Sequence, residues 1–254
     1  MIKIEKTDVY GFEAAIRGMR NPMNSWDKSD SNFSCKECSG CYYEPERHVE
    51  RNEFYVDTWC EHRALRIGRI DRQLMKSLAK AGDDHGKFLR MINVTVDITA
   101  PRYWWTEFDT YKVGTVANSC STMHKLASKP IELSDFSIDD FEAVPVSGEH
   151  LGVEDGSLSF AQLMENTVND CEYLRKRYLE TNDKTFWRGL IQLLPQSYNQ
   201  RRTVLLNYAV LKNMYFARRD HKLDEWHDFC DWVLTLPYFR EIVVQEDEQG
   251  GSEG

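Results

Sequence analysis

From Ile92 to Ala100 the chain alternates apolar and polar residues, with Ile92, Val94, Val96 and Ile98 at every second position and Thr95, Asp97 and Thr99 between later members. A side-chain period of two belongs to a strand with one face buried, and β-branched residues suit that pleated surface. Pro101 lacks the N–H that a ladder needs and ends the strand. Tyr103, Trp104, Trp105, Phe108 and Tyr111 follow at helical spacings, which predicts an amphipathic helix presenting them on one side. Behind them, Gly114, Thr115, Asn118, Ser119, Cys120, Ser121 and Thr122 combine flexible backbone with hydroxyl, amide and thiol groups. The stretch from Asp97 to Lys125 therefore reads as a binding segment for a polar ligand rather than as core, with a plain surface loop as the alternative.

A chain of 254 residues can be one large domain or two small ones, and 41% hydrophobic residues suffice for a sizeable core. No apolar run reaches the length of a membrane helix, and the N-terminus lacks the apolar stretch of a signal peptide, so no membrane association and a cytoplasmic location are expected. The net charge of −9 repels phosphate backbones and argues against non-specific nucleic-acid binding. Seven cysteines, an odd number, fit reduced thiols better than a disulfide framework.

Residues 1–17 predict a strand, through Ile2, Ile4 and Val9, followed by a short helix where Phe12, Ala14, Ala15 and Ile16 cluster. Arg17 and Arg20 flank a glycine and could meet a phosphate, although solvated arginines are the commoner case. A helix is predicted from Ile70 to Ala81, stopped by Gly82. Residues 126–157, rich in Pro, Ser, Asp and Glu, read as a connecting segment. Helical patterns then run through Phe160 to Leu174, Phe186 to Leu194 before Pro195, Thr203 to Arg218, and His221 to Leu234. These elements predict an α+β fold, a single domain over residues 1–240 with a cysteine-containing insertion over about 29–66. An acidic tail over 241–254 is expected to be disordered.

The insertion carries Cys35, Cys38 and Cys41 in a C-x-x-C-x-x-C run, with Cys60 downstream. Thiolates at that spacing can converge on one metal, with Cys60 or a histidine as the fourth ligand. Zinc would clip a coreless excursion, an iron–sulfur cluster is the redox alternative, and free thiols are the third reading. Cys120 could act as a nucleophile if a neighbouring cation such as Lys125 lowered its pKa, but lining a pocket is the reading we favour for it.

In the second half, Leu194-Pro195 is followed by Asn207, by Asn213 six residues later and by Arg218 five beyond, with His221 and Glu225 close behind. Together with the strand, proline and aromatic helix, this spacing resembles the flavin-dependent thymidylate synthases over about residues 70–235. That family's signature is R-H-R-x-x-S-x-N-E-x-S-x-R-Y, preceded by a helix bearing Q-W. Counted from Pro101 without a gap, Glu107-Phe108 falls on Q-W, Thr110-Tyr111-Lys112 on R-H-R, Thr115 on the first Ser, Asn118 on the Glu and Cys120 on the second Ser. A shift of one residue sets Asn118 on the Asn and Ser121 on the second Ser, so two registers stay open. The chain departs from the family at R-H-R, where Lys112 is the one cation, and at Ala209, where an arginine is expected.

The resemblance implies an antiparallel sheet with a helical layer, a helix-rich C-terminal half, and a homotetramer with pockets at its subunit contacts. It implies transfer of a one-carbon unit from methylenetetrahydrofolate to dUMP or a related pyrimidine nucleotide, with FAD carrying hydride from NADPH. Arg218 would be catalytic, orienting and polarising the pyrimidine, and Glu107, Thr115, Asn118, Cys120 and Ser121 would line the nucleotide site. Tyr111, Lys112, Asn207, Asn213 and His221 would contact the cofactor. On residue chemistry alone, a guanidinium at Arg218 could clamp a carbonyl or a phosphate, or simply complement a helix dipole. The competing reading is a non-catalytic nucleotide-binding or scaffold protein that has lost flavin, or a metal-clipped binding module.

Overall fold

The period-two pattern folds as a strand, and its partner comes from more than a hundred residues further along. A computed structural model describes residues 2–35, 63–138, 145–146 and 158–245. In chain order the elements are β1 (Lys3–Tyr10), α1 (Phe12–Arg20), β2 (Asn32–Cys35), β3 (Arg63–Arg66), α2 (Arg69–Lys80), β4 (Asn93–Pro101) and α3 (Arg102–Phe108). They continue with β5 (Val116–Ser119), α4 (Thr122–Lys125), β6 (Pro145–Val146), β7 (Leu158–Ser159), α5 (Phe160–Thr181) and α6 (Lys184–Leu193). The last are β8 (Asn199–Asn207), α7 (Tyr208–Arg218) and α8 (Asp224–Thr235). The fold is α+β: a four-stranded antiparallel sheet in the order β1-β4-β8-β5 with helices packed on it, and two small two-stranded antiparallel pairs, β2-β3 and β6-β7.

In β4, Val94, Val96, Ile98 and Ala100 are buried, while Asn93, Thr95, Asp97 and Thr99 stand half-exposed on the other face. Its antiparallel partner β8 runs in unbroken register from Asn93 opposite Asn207 to Pro101 opposite Asn199, and turns Val204 and Leu206 to the same core. On the opposite face Asp97 accepts hydrogen bonds from Thr203 and Arg201, and these two partners hold its carboxyl below the usual range. The buried face packs against α1, α3, α7 and α8. Gly11 joins β1 to α1 at φ +98, where a Cβ would lie 2.0 Å from the Met91 carbonyl oxygen, so the close crossing requires glycine.

Several expectations are corrected. The segment from Thr203 to Asn207 is strand, not the start of a helix; the helix begins at Tyr208. Val204 and Leu206 obey a period of two, and the apolar run of α7 follows directly, so the two periods merge in the sequence. The polar stretch after Gly114 is not wholly loop, because Val116–Ser119 add a fourth strand along β8. The aromatic run is core: Trp104, Trp105 and Phe108 are at most 2% exposed and pack with Trp226 and Phe229, the Trp104 and Trp226 ring centres 4.8 Å apart. Helix α3 stops at Phe108, so Tyr111 lies beyond it. At the C-terminal end, Arg240–Val244 form a π-helix that buries Ile242 and Val243, so the tail expected from 241 does not begin there. Residues 246–254 lie outside the described residues, as does the insertion between Cys35 and Arg63.

Arg20 is also reassigned, from a possible phosphate ligand to a buried structural pair. Its Nε and Nη2 donate to Asp71 Oδ1 at 2.7 and 2.6 Å, and both side chains are at most 3% exposed. Ser29 and Ser31 hydroxyls satisfy Asp71 Oδ2, and the other guanidinium hydrogens reach the carbonyls of Ser25 and Lys28. Asp30 caps α2 by accepting from the backbone N–H of Ile70 and Asp71. One ion pair thus pins the stretch after α1 to the first turn of α2.

A second core, formed by Leu126, Ile131, Phe136, Met164, Val168, Cys171, Leu190 and Leu194, joins α5 and α6 to the segment after α4. Glu172 fastens it, accepting from Arg175 Nε and Nη2 at 2.6 and 2.8 Å and from the Ile131 backbone at 2.9 Å. The Arg175 contact leads in pulling the Glu172 carboxyl down to about 2.

Two stability measurements follow. Asp71→Ala leaves Arg20 charged and buried without its partner and is expected to cost about 3–5 kcal/mol in urea unfolding. Glu172→Gln is expected to lower stability at neutral pH. Because the folded carboxyl titrates below the unfolded one, the difference from the parent should shrink as pH falls from about 4 toward 2. Parallel denaturant curves at neutral and acidic pH read it.

Candidate functional site

Helices α3 and α7 leave opposite ends of the β4-β8 ladder, and the residues at their far ends meet. Glu107, in the last turn of α3, accepts from Arg218, the last residue of α7, with Nη1 to Oε2 at 2.6 Å. Arg218 Nε donates to the Tyr111 hydroxyl at 2.8 Å, and its guanidinium carbon lies 4.8 Å from the centre of the Trp226 ring. Trp226 Nε1 donates to the same Glu107 oxygen at 3.1 Å, and His221 Nε2 stands 3.2 Å from it. Below them, the Tyr103 hydroxyl donates to the buried Glu225. A guanidinium held over an indole by a carboxylate and a phenol keeps little of the rotamer freedom of a surface arginine.

Two cavities lie along the sheet, each walled by residues outside this cluster. One, of about 540 Å³, lies by the C-terminal end of β8 and includes Leu89, Arg90, Val113, Gly114, Asn207, Val210, Asn213 and Phe216 in its wall. Asn207 caps α7, its Oδ1 accepting from Val210 N at 3.0 Å, while its Nδ2 faces the Gly114 carbonyl at 3.5 Å. Gly114 takes φ +81, and a Cβ there would come within 2.8 Å of the Asn207 amide nitrogen, so this wall closes only around glycine. The other cavity, of about 560 Å³, lies by the N-terminal end of β8 between Cys120, Ser121, Lys125, Lys129, Tyr198 and Arg201. There Lys129 pairs with Asp135 and Arg201 with Asp97. Burial raises the Tyr198 hydroxyl above its ordinary pKa.

The residues singled out in the sequence therefore separate into groups. Glu107, Tyr111, Arg218 and His221 come together. Asn207 and Asn213 line the first cavity, Asn207 from the strand end where it caps α7 and Asn213 from within that helix. Cys120 and Ser121 line the second. Asn207 and Arg201 stand six strand residues apart, about 20 Å, so the two cavities are separate within one chain. Thr115 turns inward, its hydroxyl donating to the Tyr111 carbonyl at 2.5 Å. Lys112 is exposed, and Asn118 sits on β5 opposite Thr203 with an exposed side chain. Cys38, Cys41 and Cys60 and the side chain of Cys35 lie outside the described residues, where the metal expectation therefore rests. Trp226, which completes the Arg218 nest, was not anticipated; in the sequence it is one more apolar position of a helix.

Among the described residues, no helix is long and apolar enough to cross a membrane. Neither a protein-family model nor a curated protein matches the sequence. Solved structures do match the fold. A flavin-dependent thymidylate synthase ThyX from Helicobacter pylori, crystallised with FAD and dUMP, aligns over 95% of this chain and 97% of its own with a TM-score of 0.58 and 16% identity. A second Helicobacter pylori ThyX structure with FAD and dUMP gives 0.57 and 14% identity, over 96% and 97% of the two chains. The chain has a thymidylate-synthase-like fold along nearly its whole length.

Proposed function

We propose that this protein is a flavin-dependent, thymidylate-synthase-like enzyme. It would transfer a one-carbon unit from methylenetetrahydrofolate to dUMP or a related pyrimidine nucleotide, with NADPH as reductant. The observation that carries the reading is the Arg218 nest: a guanidinium fixed by Glu107, Tyr111 and Trp226, in a chain that also holds a cavity carrying two side-chain amides and shares its fold with enzymes crystallised with FAD and dUMP. Fixing a donor before the ligand arrives lowers the entropy cost of orienting it. Arg218 would hydrogen-bond a base carbonyl and draw electron density from the ring.

The first cavity suits a flavin ring. Val113, Val210 and Phe216 offer apolar cover, and Asn213 with the weakly held Nδ2 of Asn207 offers amide groups to a pyrimidine-like ring edge. Arg90 lies in the same wall as a cation for a phosphate, whereas Lys212 already donates to the Ala79 carbonyl. Bound flavin would supply hydride. Thr115, bonded to the backbone of Tyr111, would act by holding the turn rather than by touching phosphate.

Cys120 and Ser121 line the second cavity, away from Asn207 and Asn213 in the first, and a second copy could bring them to Arg218. Strand β5 is an exposed sheet edge with all four residues open, a surface on which another copy could dock. A homotetramer, one domain per chain, follows as part of the proposal. A second reading, a nucleotide-binding protein without flavin, draws on Tyr111, which occupies the place of the signature histidine and is bonded to Arg218, and on Lys112 as the lone cation there.

The test is the visible spectrum of the purified protein, followed by FAD titration and a dUMP turnover assay with methylenetetrahydrofolate and NADPH. Flavin bands and a methylated or hydroxymethylated pyrimidine are the expected results. A colourless protein that binds no added FAD sinks the flavin enzyme and leaves the second reading. With flavin bound, Arg218→Ala should lower turnover by about a hundredfold or more.

A further inference from the structure

Four arginines gather about the first turn of α2, and they are satisfied unequally. Arg20 is saturated: its guanidinium donates twice to Asp71 and reaches the carbonyls of Ser25 and Lys28. Arg66, Arg69 and Arg72 instead line a cavity of about 470 Å³ together with Asp30 and Tyr238. Arg69 and Arg72 stand three residues apart on one helix face, and Arg66 ends the strand β3 that leads into the helix. Arg66 and Arg69 are exposed, and among the described residues their side chains have no hydrogen bond or ion pair. Arg72 Nη1 lies 3.4 Å from Glu241 Oε2, at the long limit of a hydrogen bond, and its Nε is buried without a partner. A buried donor lacking an acceptor is uncommon in a folded protein and calls for an explanation. The acids beside the three arginines are engaged elsewhere. Asp30 accepts from the N–H groups of Ile70 and Asp71 with its two oxygens, and Glu241 also faces Lys76 at 3.4 Å. The turn itself is tightly built, since a Cβ on Gly68 would lie 2.1 Å from Asp30 Cγ and the Gly68 N–H donates to Ser31 Oγ at 3.0 Å.

We propose that the Arg66–Arg69–Arg72 cavity is an anion site that takes the di- or triphosphate group of a small ligand. It shares no lining residue with the Arg218 nest or with the two cavities along the sheet, so it stands whether or not the nucleotide reading does. In a chain of net charge −9, cations without acid partners at one fixed place are the exception, and they attract an anion that the rest of the surface repels. A guanidinium is a planar fork that pairs two oxygens at once, which matches phosphate geometry. One phosphate has oxygens for one or two such forks, whereas linked phosphates offer enough for three. The N-terminus of α2 adds little, because the Asp30 carboxylate already accepts its first N–H groups, so the side chains carry the recognition. At Arg72 the arriving anion would compete with Glu241, whose hold is long.

The test is calorimetric titration of the full chain with inorganic tripolyphosphate, with and without dUMP, beside orthophosphate and citrate at the same ionic strength. Tripolyphosphate is expected to bind about tenfold or more tighter than either of the other anions, and dUMP should leave that binding unchanged. Arg66→Ala and Arg69→Ala should each weaken it about tenfold without moving the urea midpoint, because neither side chain has a partner in the fold. Glu241→Gln, which removes the competing carboxylate and keeps all three arginines, should tighten it about threefold. No binding by the parent, citrate bound as tightly as tripolyphosphate, or unchanged affinity in both arginine variants would overturn the inference. Binding that disappears when dUMP is added would place the anion in the nucleotide site, which overturns the inference and leaves the nucleotide reading intact. Should an alanine variant fail to fold, Arg69→Gln takes its place, and the gain in Glu241→Gln still reads the site; no gain there counts against it.

Discussion

Asn93 faces Asn207 and Pro101 faces Asn199 in one antiparallel ladder, and the placement of every site residue depends on that register. The ladder joins segments about a hundred residues apart. Closing such a loop has an entropic cost that grows slowly with length, and the cost is offset by burying both strands' inner faces. A slip of one residue would turn Val94, Val96, Ile98 and Ala100 to the outer face, so hydrophobic burial holds the pairing in place. With the register set, α3 starts where β4 ends and α7 starts where β8 ends. Those points are opposite ends of the ladder, and so the helices converge and Glu107 meets Arg218.

The aromatic cluster converts that convergence into rigidity. Trp104 packs against Trp105, Phe108, Trp226 and Phe229, which locks α3 to α8 beneath the polar nest. Trp226 contributes twice: its ring faces the guanidinium of Arg218, and its N–H satisfies Glu107. The same side chain is therefore core on one side and site on the other. The buried Arg20–Asp71 pair is supported in the same way, its carboxylate oxygens shared among an arginine and two serines.

Much of this was legible in the sequence where one period dominates. Strand β4, helix α2 and the long helix α5 each carry a clear pattern bounded by Pro, Gly or a cap. Strand β8 was hidden because Thr203-Val-Leu-Leu-Asn passes into the apolar run of α7 without Gly or Pro, and a three-residue apolar stretch suits either period. Asn207, a favoured cap residue, was the available signal for the boundary. Strand β5 has no period to read, since all of its residues are exposed. In the site, the spacing of Asn207, Asn213, Arg218 and His221 carried through to the structure because those residues sit on or just past one helix. The coming together of Glu107 with Arg218 depends on long-range pairing, which local periodicity does not encode, and so does the placing of Cys120 and Asn207 in different cavities.

The central claim is that the Arg218–Glu107 pair receives the base of a pyrimidine nucleotide. A crystal structure of the protein soaked with dUMP and FAD tests it most directly. The account predicts the pyrimidine ring against the Arg218 guanidinium, with its phosphate elsewhere. Phosphate density on Arg218, or a nucleotide bound only between Lys125 and Arg201 with the Arg218 nest left untouched, would contradict it.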